Sequence, residues 1–183
     1  WLRGKALGRF PRRSPGEDLA RAFDIYTELQ QPEKAIAVAL TPIWAFQSAG
    51  SYTTVVTPPR GHRDLRKRAL ALARPDSVPY GWLLSQTGYT ADAERALVIA
   101  RRAGDPVLAM WANSFLVDSR AYLGDFEGSL QAEAAALQAA RARRDSPCLL
   151  NTLYGARRRC TLTGDTEGAE RGVREIGEAA RDS

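Results

Sequence analysis

The stretch GDFEGS at residues 124–129 returns forty residues later as GDTEGA at residues 164–169, and a looser copy, GYTADA, occupies residues 88–93. Each copy places a glycine at the end of one helical stretch and a small residue five positions later. Glycine can adopt the left-handed conformation that closes a helix, and an aspartate after it can cap the next helix. The small residue allows two helices to approach closely. The repeat therefore predicts helix–turn–helix units at a regular interval.

A second break recurs in phase with the first. Three similar Ala- and Leu-rich stretches, at 69–74, 96–101 and 136–141, each run into a segment with Asp or Ser before Pro. Those segments are Asp76-Ser77-Val78-Pro79, Gly104-Asp105-Pro106 and Asp145-Ser146-Pro147. Proline is tolerated in the first turn of a helix because its missing N–H would be unpaired there anyway, so each segment marks a helix start.

The two breaks together predict an all-α fold, an α–α superhelix in which antiparallel helix pairs stack as a solenoid. Residues 75–183 are predicted to hold three pairs: 78–87 with 90–103, 106–123 with 126–144, and 147–163 with 166–181. Residues 17–74 are predicted as irregular helical repeats, with helices at 17–30, 33–46 and 62–74 and a long loop at 47–61. Residues 1–16 are interpreted as a basic segment, the remnant of an upstream helix. Because the chain begins at Trp1 rather than Met, we expect it to be part of a longer protein.

The net charge of +5 comes from the first sixteen residues, which hold five basic residues and no acidic one, after which the two signs balance. A balanced body argues against a nucleic-acid-binding domain, which usually carries a basic face. The alternative that stays open is a nucleic-acid-binding helical solenoid that uses the basic amino terminus and the arginines at 141–159. Arg157, Arg158 and Arg159 cannot share one helix face, so a solvated surface is the preferred interpretation of that run.

The longest mostly apolar stretch, residues 35–46, is shorter than the roughly 20 residues that span a bilayer, and the amino terminus lacks the apolar core of a signal peptide. Cys148 and Cys160 lie on one predicted helix, roughly 18 Å apart along its axis, and cannot bridge each other. We therefore expect a cytoplasmic location.

Residues for catalysis are scarce. His62 is the only histidine, so there is no His pair for zinc and no plausible Ser/His/Asp relay, and no G-x-x-x-x-G-K-[ST] phosphate loop is present. His62 is interpreted as opening a helix rather than contacting a ligand, and the carboxylates at helix starts as caps. We expect no enzyme activity, no catalytic residue, no metal and no cofactor.

The groove of the stack is the better candidate for function. The first helix of each pair lines the concave surface of such stacks, where helical solenoids bind their partners. Aromatic side chains with a few polar groups suit peptide or small-molecule recognition. The residues predicted to face this groove are Trp82, Ser85, Gln86, Trp111, Ser114, Asp118, Asn151, Tyr154 and Arg158. The alternative is that Trp82 and Trp111 fill the core between pairs.

The period of 36 to 40 residues resembles the tetratricopeptide repeat. The family's small and apolar positions are matched by Gly81, Leu84, Gly88, Ala93, Leu97 and Ala100. Arg120, Glu133 and Arg157 depart from that pattern at positions where packing residues are expected.

A further resemblance covers more of the chain. Residues 21–26, 34–39, 59–63, 68–73 and 75–77 resemble the helical region of large bacterial signalling ATPases of the maltose-regulator type, some of which carry a LuxR-type DNA-binding module and others a cyclase domain. The resemblance implies a protein- or ligand-binding sensor or scaffold region of a transcriptional or signalling regulator. It implies a protein, peptide or small-molecule inducer in the groove and a neighbouring ATPase domain as partners.

Overall fold

The computed structural model describes residues 15–48 and 62–181, and every regular element in those two ranges is an α-helix. The helices are α1 (Pro15–Glu28), α2 (Pro32–Ser48), α3 (His62–Leu72), α4 (Val78–Ser85), α5 (Thr90–Ala103), α6 (Pro106–Tyr122), α7 (Phe126–Arg143), α8 (Ser146–Thr163) and α9 (Thr166–Arg181). The all-helical prediction is confirmed for these ranges. The six helices predicted beyond residue 75 are found with bounds that differ by no more than two residues. Of the predicted segment 1–16, only residues 15 and 16 are among the described residues. Of the predicted loop 47–61, only residues 47 and 48 are described, and both belong to α2.

The predicted turn chemistry is present at the breaks between helices. Gly124 and Gly164 adopt left-handed conformations, with φ of 79° and 75°. The Asp125 carboxylate accepts a hydrogen bond from the backbone N–H of Gly128 at 2.9 Å, and Asp165 accepts one from Gly168 at 2.8 Å. Asp105 and Asp145 cap α6 and α8 in the same manner. The looser copy at 88–93 lacks such a cap, because Tyr89 occupies the capping position before α5 without a side-chain hydrogen bond.

The second glycine of the repeated motif has a role that the sequence did not indicate. A Cβ atom on Gly128 would lie 2.7 Å from Cγ of Asp125, and one on Gly168 would lie 2.7 Å from Cγ of Asp165. Real Cβ atoms do not approach other atoms this closely. At these two helix starts the capping carboxylate occupies the space that a methyl group would fill, whereas the caps before Leu108 and Cys148 accommodate a side chain at the equivalent position.

Removing one of these caps should cost measurable stability. We expect Asp125→Ala and Asp165→Ala each to lower the free energy of unfolding by about 1 kcal/mol, since each leaves a helix N-terminus without its acceptor. Urea denaturation followed by circular dichroism measures the change. Glu170→Ala, at an exposed position of α9, is the control and should change stability by less than about 0.5 kcal/mol. Equal losses in all three variants would contradict the capping role.

The helices share one continuous core that extends from Phe23 in α1 to Ala156 in α8. Neighbouring helices in the chain pack together, and the first helices of successive pairs also pack on one another, α4 on α6 and α6 on α8. The helix α6 is central, and Leu108, Leu116 and Val117 on it are fully buried. The row α4, α6, α8 is therefore packed on one side by α5 and α7.

The helix α2 contacts both outer members of this row, α4 and α8. The helices α5 and α7 pack on this row as well, and α5 also contacts α4. Two of the three helices that the sequence assigned to a binding groove thus also contact α2.

Two of the three charged residues that depart from the repeat pattern form ion pairs within the fold. The guanidinium of Arg120 donates to the backbone oxygen of Gly128 at 3.0 Å and to the Glu94 carboxylate at 2.8 Å, which joins α5, α6 and the start of α7. Glu133 on α7 accepts a hydrogen bond from Arg159 on α8. Arg157 is exposed, and its side-chain stem lies against Gly172 of α9. Polar contacts therefore replace apolar packing at Arg120 and Glu133.

Candidate functional site

The predicted groove residues differ widely in accessibility. Trp82 and Trp111 are only 8% and 4% exposed and belong to the shared core. The Trp111 ring lies 5.8 Å from the ring of Phe115, centroid to centroid. The structure therefore supports the core-filling alternative for both tryptophans, because so little of either ring is available to a ligand.

Ser85 and Gln86, at the end of α4, make hydrogen bonds within the fold. The buried Ser85 hydroxyl donates to the backbone oxygen of Trp82 at 2.9 Å, within the same helix. The backbone oxygen of Gln86 accepts a hydrogen bond from the Arg66 guanidinium of α3. No described contact brings these α4 residues to the other predicted groove residues.

The remaining predicted residues are brought together between α6 and α8. The Ser114 hydroxyl lies 2.8 Å from the Thr152 hydroxyl, which itself donates to the backbone oxygen of Cys148 at 2.7 Å. The Ser114 hydroxyl must therefore donate to the Thr152 hydroxyl. The Ser114 oxygen is then free to accept a hydrogen bond from the Asn151 amide at 2.9 Å. This buried chain of hydrogen bonds fixes the register of α8 against α6.

One to two turns further along the two helices, an ion pair reaches the surface. Arg158 donates to Oδ2 of Asp118 at 2.7 Å and to the Tyr122 hydroxyl at 3.1 Å. Its guanidinium also lies 5.6 Å from the centre of the Tyr122 ring, within the range of a cation–π contact. We call the surface formed by Ser114, Asp118 and Tyr122 of α6 with Asn151, Tyr154 and Arg158 of α8 the α6–α8 site.

Asp118 is the least satisfied group of this site. Its Oδ1 atom is buried and has no hydrogen-bond partner among the described residues. Burial raises the pKa of the Asp118 carboxyl, and the nearby Arg158 only partly opposes the shift. A buried acceptor without a donor destabilises the fold. Because this atom is buried, a donor of a partner reaches it only when a side chain that covers it moves.

A close approach of the two helices forms the base of the site. Gly155 is buried in α8, and a Cβ atom there would lie 3.0 Å from Cγ1 of Val117 on α6. A larger residue would separate the helices and disrupt the hydrogen bonds around Ser114. Glycine at 155 is therefore part of what positions the polar side chains.

Two contributors to this region were missed from the sequence, Tyr122 and Thr152. Asp118 and Arg158 are forty residues apart, the same interval as the turn motif, and so occupy equivalent positions of successive repeats. Tyr122 lies one helical turn after Asp118, on the same face of α6, and could have been found by extending that register. Thr152 is a buried residue on a different face of α8, which only the packing identifies.

The described residues offer little for covalent or metal chemistry. Within 15–48 and 62–181, no group of three or more His, Cys, Asp or Glu residues is arranged to hold a metal ion. Cys148 and Cys160 are free, and burial raises the pKa of the Cys148 thiol to about 12. At neutral pH that thiol is protonated and therefore a poor nucleophile.

Comparison with known proteins gives no relative: no family model matches the chain, and no curated protein matches it. Of the helices in the described part of the chain, none has both the length and the apolar composition needed to cross a membrane.

Proposed function

We propose that this chain is a non-enzymatic helical-repeat module that binds a peptide, a protein segment or a small molecule at the α6–α8 site. The observation that supports the proposal best is the Asp118–Arg158 ion pair, which reaches the surface between two packed helices and includes a buried Oδ1 atom without a donor. Binding sites commonly retain such unfavourable groups, whereas a purely structural surface gains nothing from them. The partner that fits best presents an N–H or O–H donor to Asp118 and an acceptor to Arg158.

The proposed architecture is a tetratricopeptide-like solenoid. The packing of α4 on α6 and α6 on α8, with α5 and α7 on the other side, supports it. In this arrangement a partner held between α6 and α8 contacts two successive helix pairs at once. Binding would then change the angle between those pairs, and the contact of α2 with both α4 and α8 gives a second element that would respond.

The proposed context is the sensor or scaffold region of a bacterial ATP-dependent transcriptional or signalling regulator, located in the cytoplasm. The sequence resemblance to the helical regions of such ATPases supports this context, and the two free cysteines suit a reducing compartment. The change in angle between helix pairs would be transmitted to a neighbouring ATPase domain.

Replacing Asp118 separates binding from stability. We expect Asp118→Asn to abolish at least about nine-tenths of the affinity for a donor-bearing partner, because a hydrogen bond to a charged group contributes about 1.5–3 kcal/mol.

The Asp118→Asn variant should not lose stability at neutral pH. The folded-state pKa of Asp118 is raised, so its stabilising contribution is present at acidic pH and is lost as pH rises through that pKa. The stability of Asp118→Asn relative to wild type should therefore increase with pH in urea denaturation.

The binding test starts from a thermal-shift screen of peptides and small metabolites against the wild-type chain. Each compound that stabilises the wild type is titrated by calorimetry into Asp118→Asn, Arg158→Gln and the control Arg95→Gln, which removes an exposed pair to Asp76 elsewhere. Weaker binding by the first two variants alone supports the proposal. Equal binding by all three would show that the partner binds elsewhere.

A further inference from the structure

Exposed arginines cluster where α5 and α7 end. We call this set the arginine edge; it consists of Arg101, Arg102, Arg141, Arg143 and Arg144. None of the five forms an ion pair with any residue in the described ranges. Arg101 and Arg141 are forty residues apart, and Arg181 at the end of α9 continues the same interval. The charge therefore recurs with the structural repeat.

The fold brings the two clusters to one side of the molecule. Short turns reverse the chain between neighbouring helices, so α5 and α7 end where α6 and α8 begin. Since α6 and α8 pack on each other, the turns at 104–105 and 144–145 are neighbours in the stack. The arginine edge therefore lies on one side of the stack, at two neighbouring turns.

Compensation of the helix dipole accounts for only part of this charge. A cation near a helix C-terminus contributes roughly 0.3–1 kcal/mol, and one or two such residues are enough. Arg144, however, lies beyond α7 in a left-handed conformation with φ of 53°, where the equivalent turn after α5 has Gly104 with φ of 66°. A non-glycine residue in this conformation costs roughly 1–2 kcal/mol. Gln30 and Asp76 adopt similar conformations, with φ of 55° and 62°, so what distinguishes Arg144 is the cation that it adds at this turn.

The carboxylates on the same side do not neutralise the edge. Asp105 and Asp145 cap α6 and α8 through hydrogen bonds to backbone N–H groups. Asp76, before α4, pairs with Arg95 at 3.3 Å. The five arginines exceed the two carboxylates at these turns, which leaves a local excess of positive charge in a body whose charges balance as a whole.

The surroundings of the edge indicate what kind of polyanion it fits. The exposed side chains of Tyr89, Tyr122, Leu123 and Phe126 lie at the opposite ends of these helices, at the turns before α5 and α7. The turns at the arginine edge contain no aromatic or large apolar residue. Single-stranded nucleic acid is held largely by base stacking on aromatic rings, and membrane surfaces by apolar insertion together with charge. A surface that offers only positive charge is suited to the phosphate backbone of a double-stranded nucleic acid.

We propose that the arginine edge binds double-stranded nucleic acid through its phosphates, without reading the base sequence. This surface keeps Arg141, Arg143 and Arg144 from the alternative that the sequence left open and adds Arg101 and Arg102, whereas Arg158 and Arg159 are engaged with Asp118 and Glu133. The binding is independent of the α6–α8 site, so either proposal can fail while the other stands.

The test is fluorescence anisotropy of a labelled random-sequence DNA duplex titrated with the whole 183-residue chain at several salt concentrations. Five phosphate contacts predict a slope of log affinity against log salt of about −4.5, or about 500-fold weaker binding when salt rises fourfold. The triple variant Arg101→Glu, Arg141→Glu, Arg144→Glu should reduce the slope to about −2 and weaken binding more than about tenfold at low salt. A second triple variant carries Arg101→Gln, Arg141→Gln and Arg144→Gly. It removes the same three charges without adding carboxylates, and it places glycine at the position with the left-handed conformation.

The matched control reverses three exposed charges on α1 and α3, as Arg21→Glu, Arg63→Glu, Lys67→Glu. It has the same net charge as the first variant and keeps the amino-terminal basic residues, so it should retain most of the wild-type affinity. Equal loss in control and edge variants would overturn the proposal, as would a slope near zero for the wild type. Binding to vesicles of anionic lipid but not to the duplex would overturn it in favour of a membrane surface.

Discussion

Alanine in place of Trp111 is expected to lower the free energy of unfolding by about 3–5 kcal/mol, the usual range for truncating a buried tryptophan. Trp111 is 4% exposed on the central helix α6, and its ring packs beside Phe115. Truncation would leave a cavity between helices that cannot collapse, because α6 is packed against α5, α7, α4 and α8. Urea denaturation monitored by circular dichroism gives the free-energy change.

Tyr89→Ala is the matched control for this measurement, since Tyr89 is 72% exposed before α5. Its stability should change by less than about 0.5 kcal/mol. The experiment also decides between the two interpretations of Trp111. A variant that remains stable but loses a partner would identify the indole as a binding group and contradict its role in the core.

The second large effect is expected at the ion pair between Arg159 of α8 and Glu133 of α7. Their side chains are only 9% and 19% exposed, and Arg159 also donates to the Ser129 hydroxyl at 3.4 Å. Removing Glu133 leaves the buried charge of Arg159 without its counterpart, so Glu133→Ala should lower the free energy of unfolding by about 3–5 kcal/mol. Arg159→Ala leaves the partly buried Glu133 unpaired and should have a smaller effect. Denaturation of both single variants measures both losses.

The double replacement Arg159→Met, Glu133→Leu provides the decisive comparison. Because a buried ion pair can be exchanged for apolar residues at little cost, the double variant should be more stable than either single alanine variant. Arg171→Ala is the surface control, since Arg171 is 3.8 Å from Glu167 and more than half exposed; it should change stability by at most about 1 kcal/mol. If the loss of stability in the double variant equals the sum of the losses in the two single variants, the two side chains do not act as a pair.

Adjacent arginines thus have different roles because the helix turns by about 100° between them. Arg158 points to α6, where it pairs with Asp118 and Tyr122, and Arg159 points to α7, where it pairs with Glu133. Arg157 is exposed. The helical period predicted that the three could not share a face, but not that two of them would hold α8 against both helices of the preceding pair.

Much of the candidate site could be predicted from the sequence, and part of it could not. The forty-residue interval relates Asp118 to Arg158, and the structure places these two side chains in contact. The same interval relates Trp111 to Asn151, yet one is buried in the core and the other is only partly buried. A repeat predicts which positions are equivalent, whereas exposure depends on what packs over each position.

The sequence by itself determined where the helices begin and end beyond residue 75. Those bounds depend on local chemistry, a left-handed glycine at 124 or 164 and an aspartate at 105, 125, 145 or 165 that caps the following backbone N–H groups. Tertiary structure alone decided that Trp82 and Trp111 are core residues, that Glu133 meets Arg159, and that α2 contacts both α4 and α8. These outcomes depend on contacts between residues far apart in the chain, which the conformational preferences of neighbouring residues do not specify.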